Sequence, residues 1–311
     1  MIDLRSDTVT KPCQNMLKAM CSAPLGDDVL RDDPTILKLE ETIADLLGKD
    51  DALFVPSGTM ANQIAIWLQS KKGSCVAVEQ DAHIYHYEAS APALISNVRL
   101  KPIAGSRGIM DIESLRSSFP PEDPHFSPIS LVCVEDTANR GGGSIYPLEC
   151  LDTIADIAHQ RGIPTHLDGA RLFNAQVGSQ IPAARRVEKY DTVSICFSKG
   201  LGAPVGSALC MPSTHKKDAI RIRKMLGGGM RQAGVLAAAA LYALQHNVAK
   251  LEADHQKVGI LAQGLKKAGY RFIPPQSNMI YFFHPQAHLV AEEAQKKGVF
   301  VLALGKDVIR A

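Results

Sequence analysis

Lys199 stands where an apolar, β-branched run ends and a glycine-rich turn begins. Thr192-Val193-Ser194-Ile195-Cys196-Phe197 leads into Ser198-Lys199-Gly200-Leu201-Gly202-Ala203-Pro204-Val205-Gly206. A lysine held at a strand end among apolar neighbours loses hydration, which disfavours the ammonium and favours the neutral amine. A neutral amine attacks carbonyls and forms Schiff bases. Alone, the pattern fits a surface lysine beside a turn better. Asp168 lies upstream in Thr165-His166-Leu167-Asp168-Gly169-Ala170-Arg171, again at the end of a short apolar segment. Taken singly it reads as a turn-capping aspartate before Gly169. As a pair, a lysine amine and a strand-end carboxylate are what pyridoxal phosphate requires. The amine holds the aldehyde, and the carboxylate keeps the pyridine nitrogen protonated so that the ring serves as an electron sink.

Other residues suit the same chemistry. Ser57-Gly58-Thr59 opens a helix, whose free N–H groups and dipole make an anion site, with Gly58 permitting close approach; simple capping by Ser57 is the alternative. His83 and His86 lie in Gln80-Asp81-Ala82-His83-Ile84-Tyr85-His86-Tyr87-Glu88. A flat imidazole can stack on a pyridine ring or transfer protons near neutrality, or have no role. The Arg171 fork suits a substrate carboxylate. Lys224 and Arg231 flank Gly227-Gly228-Gly229 and read either as phosphate ligands acting across a subunit boundary or as a solvated basic face.

These residues need a frame. Asp33 caps a helix over Pro34–Leu47 that Gly48 stops, with Ile36, Leu39, Ile43, Leu46 and Leu47 on one face. A strand over 52–55 and a helix over 60–68 follow. Apolar strands recur at Ser74–Val78, Val98–Ile103, Ile129–Val134, Pro164–Leu167, Thr192–Phe197 and Val205–Cys210, with helices between them, notably Leu148–Gln160. Near-continuous apolar strands alternating with helices predict an α/β fold with a mostly parallel sheet covered on both faces. Ligands of such sheets gather at the carboxyl ends of strands. Ser57–Thr59, Glu135-Asp136, Asp168 and Lys199 all sit just after a strand. A long helical tract is expected from Arg231 to Lys267. Strands and a helix in the tail predict a small α+β unit, giving a large domain over 1–248 and a small one over 249–311.

The chain has 311 residues, 46% of them apolar, with a formal net charge of +2. This composition supports neither a nucleic-acid nor a membrane partner. The histidines form no zinc pattern and no metal is expected. Seven cysteines, at 13, 21, 75, 133, 150, 196 and 210, show no CxxC spacing and suit a reducing cytosol. With no signal peptide and no apolar run of membrane length, the expected location is cytoplasmic. Pro120-Pro121-Glu122-Asp123-Pro124 reads as a surface loop.

Several motifs together carry a resemblance. They are Asp3-Leu4-Arg5-Ser6-Asp7-Thr8-Val9-Thr10, Gly26-Asp27-Asp28-Val29, Pro56-Ser57-Gly58-Thr59-Met60-Ala61-Asn62, His166-Leu167-Asp168-Gly169-Ala170-Arg171, Ser198-Lys199-Gly200-Leu201-Gly202, and Lys224-Met225-Leu226-Gly227-Gly228-Gly229-Met230-Arg231-Gln232. The chain resembles, over nearly its whole length, the low-specificity L-threonine aldolases, pyridoxal 5'-phosphate enzymes of fold type I. The resemblance implies that Lys199 carries the cofactor, Asp168 pairs with the ring nitrogen, His83 stacks on the ring, and Gly58 and Thr59 bind phosphate with Ser57. It implies that Ser6, Arg171 and Arg310 hold the substrate carboxylate, and that His125 and Tyr87 line the space around the β-substituent. It also implies Lys224 and Arg231 as cofactor-phosphate or intersubunit residues, and a homotetramer, a dimer of dimers with shared active sites.

Two departures stand out. The family usually reads Glu-Asn-Thr-His-Asn where this chain has Glu135-Asp136-Thr137-Ala138-Asn139, so an added negative charge and a lost imidazole are expected near the cofactor. Family members also continue beyond the position of Arg310, so an incomplete small domain is expected. The implied reaction is retro-aldol cleavage of L-threonine or L-allo-threonine to glycine and acetaldehyde, as in threonine catabolism and glycine biosynthesis. The proton acceptor is His83, His125 or a water they position. Alternatives are a related fold-type-I lyase (β-elimination or serine hydroxymethyltransferase-like) and a cofactor-binding pseudoenzyme.

Overall fold

A computed structural model describes residues 1–311. Seven strands form the main sheet: β1 Asp51–Val55, β2 Cys75–Glu79, β3 Arg99–Ile103, β4 Ile129–Glu135, β5 Thr165–Gly169, β6 Thr192–Cys196 and β7 Ser207–Met211. Their order is β1-β7-β6-β5-β4-β2-β3. All neighbouring pairs are parallel except those made by β7, which runs antiparallel to both β1 and β6. Every residue of β2, β4, β5, β6 and β7 is buried, because helices cover both faces. That two-sided burial is why these strands read as continuous apolar runs rather than alternating ones.

Local chemistry sets the element ends. The Asp33 side chain accepts the N–H groups of Thr35 and Ile36, Pro34 takes the first helical position, and Gly48 ends helix Pro34–Leu47 in the left-handed conformation (φ +64°). The expected strand over 205–210 begins later, at Ser207. Gly206 adopts φ +113°, and a Cβ there would lie 2.6 Å from the Phe54 ring, so the chain kinks before it can pair. The expected unbroken helix from 231 to 267 is two helices, Gly234–His246 and Leu251–Lys267. The break falls at Asn247, whose side-chain amide donates to the Leu201 carbonyl at 2.7 Å and so docks the turn after Lys199.

Beyond residue 270, the strands Arg271–Phe272, Tyr281–Phe283, Val308–Arg310 and Leu302–Ala303 pair, in that order, into an antiparallel sheet. Ala262 and Leu265 of the long helix and Ala287 of helix Ala287–Lys296 pack with Ile280, Phe282 and Ile309 beneath it. The chain's first strand, Ile2–Asp3, pairs in parallel with Val299–Phe300. Residues 1–10 therefore run from this separate two-stranded pair to the turn at Lys199.

Adjacent residues of a strand face opposite sides, and this corrects the expectation for Asp136. Glu135 ends β4 facing the carboxyl-edge site. The next side chain, fully buried, points the other way onto Arg186, whose Nε donates to it at 2.9 Å while Nη2 also donates to the Tyr146 carbonyl at 2.7 Å. The charge of Asp136 is thus neutralised away from the site. Ala138 is buried too, and its methyl group packs on Gly108, where an added Cβ would come within 2.4 Å of it. Removing one partner of a buried pair leaves an uncompensated charge. Asp136→Ala should cost about 3–5 kcal/mol of unfolding free energy, read from urea unfolding; a loss below about 1 kcal/mol would show that water reaches Arg186.

Candidate active site

The sheet's carboxyl edge brings together β4, β5 and β6. Strand register sets Glu135 beside Asp168 and Asp168 beside Ser194. Asp168 is buried, with Oδ2 accepting from Asn62 Nδ2 at 2.8 Å and Oδ1 from the Ala170 N–H at 3.1 Å. Burial pushes its pKa up, but His83, Lys199, the Asn62 hydrogen bond and His166 outweigh burial and hold the carboxyl below its ordinary value. His166, two residues earlier and on the same face of β5, behaves oppositely. Burial brings it down to about 4 despite Asp168, so the ring is neutral at physiological pH. It meets Asn62 Oδ1 at 3.0 Å and Thr192 Oγ1 at 2.8 Å.

Helix Gly58–Gln69 starts at the same edge. The Ser57 hydroxyl is committed to capping, accepting the Met60 N–H at 3.2 Å. The Gly58 and Thr59 N–H groups, in the first helical turn, remain free to receive an anion. A Cβ on Gly58 would lie 2.7 Å from Cys196 Sγ, so only glycine fits between the helix and β6.

His83 opens the short helix His83–His86 after β2. Its backbone N–H donates to Glu135 Oε2 at 2.8 Å, and its ring Nδ1 meets Glu88 Oε1 at 3.1 Å. Burial works to lower its pKa, but the Glu88 hydrogen bond and the charges of Asp168, Glu88 and Glu135 prevail and raise it. The Tyr87 ring lies 5.4 Å from the His83 ring, and Arg140 donates to its hydroxyl at 3.0 Å. His86 turns away onto the Gln80 carbonyl.

Lys199 is half-buried, less dehydrated than its apolar lead-in implies, because the turn that follows β6 lifts it above the strand end. Its carbonyl accepts the Thr10 hydroxyl at 2.7 Å, which ties the N-terminal segment to it. Beside it, Asp7 receives Arg171 through Nε at 2.8 Å and Nη2 at 2.6 Å, and Asn278 Nδ2 at 3.2 Å. Burial opposes ionisation of Asp7, but Arg171, Lys199 and Asn278 bring its pKa down to about 2. The Arg171 fork is therefore not free, as expected from sequence, but bidentate on Asp7; only Nη1 remains available. Arg310, held in strand Val308–Arg310, donates to the Arg5 carbonyl through Nε (3.2 Å) and Nη2 (3.0 Å) and approaches Asn139 Oδ1. Ser6, Asp7, Gly200, Asn278 and Arg310 share a cavity of about 400 Å³.

Three expected residues stand apart within this chain. His125 lies on the exposed 120–128 loop, its side chain 86% exposed and bonded to Asp123, because the proline-rich segment carries it outward. Arg231 is exposed and paired with Asp27 at 2.9 Å; Lys224 is exposed on the adjoining helix Lys216–Met225. Asn62, Glu88, Glu135, Asp7 and Asn278 are the residues that motif reading passed over. Asp7 and Asn62 lie inside quoted motifs, and the strand-end rule already singled out Glu135; nothing local marks Glu88 or Asn278.

A beta-eliminating lyase family profile matches residues 3–286. The probable low-specificity L-threonine aldolase 2 of Arabidopsis thaliana is 42% identical over 313 residues, covering 97% of this chain and 88% of the relative. The low specificity L-threonine aldolase of Escherichia coli strain K12 is 40% identical, covering 100% of this chain and 92% of the relative. The chain belongs to the beta-eliminating lyase family, in its low-specificity L-threonine aldolase branch. The fold agrees: a Leishmania major threonine aldolase superposes with a TM-score of 0.87 at 21% identity, over 100% of this chain and 93% of that one. In this chain, Glu135 is a buried carboxyl with a raised pKa. Burial, and then Asp168, push it up to about 7, against the pull of the His83 and Asn139 N–H groups. A raised carboxyl pKa favours the folded state below the unfolded value and loses that contribution as pH climbs through the folded one. Glu135→Gln should therefore gain thermal stability relative to the parent chain between about pH 4.5 and pH 7; a Tm difference that stays flat across that window would contradict the assignment.

Proposed function

We propose that this chain holds pyridoxal 5'-phosphate at the carboxyl edge of its main sheet and cleaves L-threonine and L-allo-threonine to glycine and acetaldehyde. One observation carries the reading: an amine (Lys199), an ionised buried carboxylate (Asp168) and a free helix N-terminus (Gly58, Thr59) converge on that edge. The donor set fits the cofactor: the free N–H groups of Gly58 and Thr59 suit a phosphate, and the absence of a side chain at Gly58 lets the helix start close against Cys196. When bound, the cofactor supplies an aldehyde for an amine and a conjugated ring that takes up the electron pair released at Cα.

This chain's residues position and protonate. The Lys199 amine would anchor the aldehyde. Asp168 would accept a hydrogen bond from the protonated ring nitrogen, and its low pKa keeps it ionised at physiological pH. Gly58 and Thr59 would donate backbone N–H groups to the phosphate, and His83 would stack on the ring. Ser6, Arg310 and the free Nη1 of Arg171 hold the substrate carboxylate, with Asp7 fixing the guanidinium plane. Holding the carboxylate orients the Cα–Cβ bond for cleavage. His83 Nε2 accepts the β-hydroxyl proton, and Tyr87 borders the departing aldehyde. Ala138, packed on Gly108, offers no support for a catalytically silent protein.

We also propose a homotetramer in which Lys224 and Arg231 reach a neighbouring subunit. Leu25, Leu30 and Met225 are exposed around them, and the Asp28 N–H donates to the Arg231 carbonyl at 2.9 Å, joining the two loops into one face. No helix is long and apolar enough to cross a membrane.

Lys199→Ala should remove both the visible absorbance of the protein-bound cofactor and aldehyde release from L-threonine in a dehydrogenase-coupled assay. Full turnover in that variant would sink the reading, and ammonia with a keto acid from the parent chain would indicate β-elimination instead. Gly58→Ala should weaken cofactor binding by roughly tenfold or more, about 1.4 kcal/mol. The Gly58→Ala/Cys196→Ala double variant should recover most of that loss in an apoprotein titration.

A further inference from the structure

We propose that Glu88 is the positioning residue that selects the tautomer of His83, and that Asn62 locks this selection to Asp168. The proposal rests on His83 being the proton acceptor of the reaction described above. Glu88 has a fully buried side chain. Its Oε1 faces His83 Nδ1 at 3.1 Å and accepts from Asn62 Nδ2 at 2.8 Å; its Oε2 accepts from Gln63 Nε2 at 2.6 Å. Both amide partners can only donate at those nitrogens, so the carboxylate acts purely as an acceptor. The hydrogen of the His83–Glu88 contact must then sit on Nδ1. In the neutral ring this leaves the lone pair on Nε2, the atom that must take the substrate proton.

Asn62 prevents any other arrangement. One amide hydrogen goes to Glu88 and the other to Asp168 Oδ2 at 2.8 Å. Its Oδ1 accepts from His166 Nε2 at 3.0 Å and Ser194 Oγ at 2.7 Å. Flipping the amide would turn Oδ1 toward two carboxylate oxygens, acceptor against acceptor.

The charged groups facing His83 are Glu88, Asp168 and Glu135, and only Glu88 touches its ring. Glu88→Gln keeps the size of the side chain and removes the charge. Its amide can accept from His83 through one orientation only, which keeps Asn62 on the same oxygen but sets its NH2 against the Gln63 donor. Glu88→Asp keeps the charge on a shorter arm.

The test is long-range ¹H–¹⁵N NMR of the histidine ring nitrogens in apoprotein and holoenzyme, run beside the pH profile of kcat/KM. The expected result for the parent apoprotein, measured above the pH at which His83 loses its charge, is a neutral His83 ring protonated at Nδ1 alone. Glu88→Gln should mix the tautomers, move the acidic limb of kcat/KM to lower pH, and reduce kcat roughly tenfold or more with little change in KM. Glu88→Asp should restore part of the Nδ1–H signal and of the limb position. A parent ring protonated at Nε2 overturns the proposal, as does a Glu88→Gln variant with an unmoved tautomer and limb. The parent-chain measurement decides the tautomer even if Glu88→Gln does not fold. Because the apoprotein signal is independent of turnover, failure of the aldolase reading would appear only in the kinetic arm.

Discussion

The buried charge of Asp168 is the constraint around which the rest of the site is arranged. An isolated carboxylate at that depth would cost several kcal/mol and would escape the cost by taking up a proton. Here Asn62 donates to one oxygen and the Ala170 N–H to the other, while His83 and Lys199 supply nearby positive charge. Two positions away on the same strand, His166 meets equal burial, which there outweighs the charge of Asp168 and leaves the ring neutral. One strand therefore carries an obligate acceptor and a neutral relay side by side, and environment alone separates them. Because Asn62 belongs to the helix that begins at Gly58, a single helix both stabilises the Asp168 charge and presents free N–H groups at the same edge.

Other buried pairs do the same work at the margins. Arg171 and Asp7 lock the N-terminal segment to the turn after β5, Asp136 and Arg186 fix the loop that carries Asn139, and Arg223 with Asp28 ties the Gly26–Val29 loop to helix Lys216–Met225. Such pairs contribute little net stability, yet each is costly to break, so they constrain geometry more than they raise the unfolding free energy. Ser6, Asp7, Gly200, Asn278 and Arg310 line one cavity. There Arg310 donates to the Arg5 carbonyl and Ile2–Asp3 extends the chain onto Val299–Phe300.

Much of this was legible in the residues. Strand ends marked by apolar runs and followed by glycine placed Lys199, Asp168 and Ser57–Thr59 on one edge, since parallel strands align their carboxyl ends. Asn62 and Glu88 were not legible. An asparagine inside a regular helix and a glutamate after a short one carry no local signature, and their partners lie 106 and 26 residues away in sequence. Asp136 was misread although strand alternation contains the correction: if Glu135 faces the site, its neighbour does not. The break at Asn247 was hidden because its cause, the Leu201 carbonyl, belongs to a distant turn.

The central claim is that Asp168 is an ionised acceptor when the cofactor is present. The most direct measurement is the ¹⁵N chemical shift of the ring nitrogen of ¹⁵N-labelled pyridoxal 5'-phosphate bound to the protein, followed from pH 6 to pH 8 beside Asp168→Asn. The account predicts a protonated ring nitrogen throughout that range in the parent chain and an unprotonated one in the variant. An unprotonated nitrogen in the parent chain at neutral pH would contradict it.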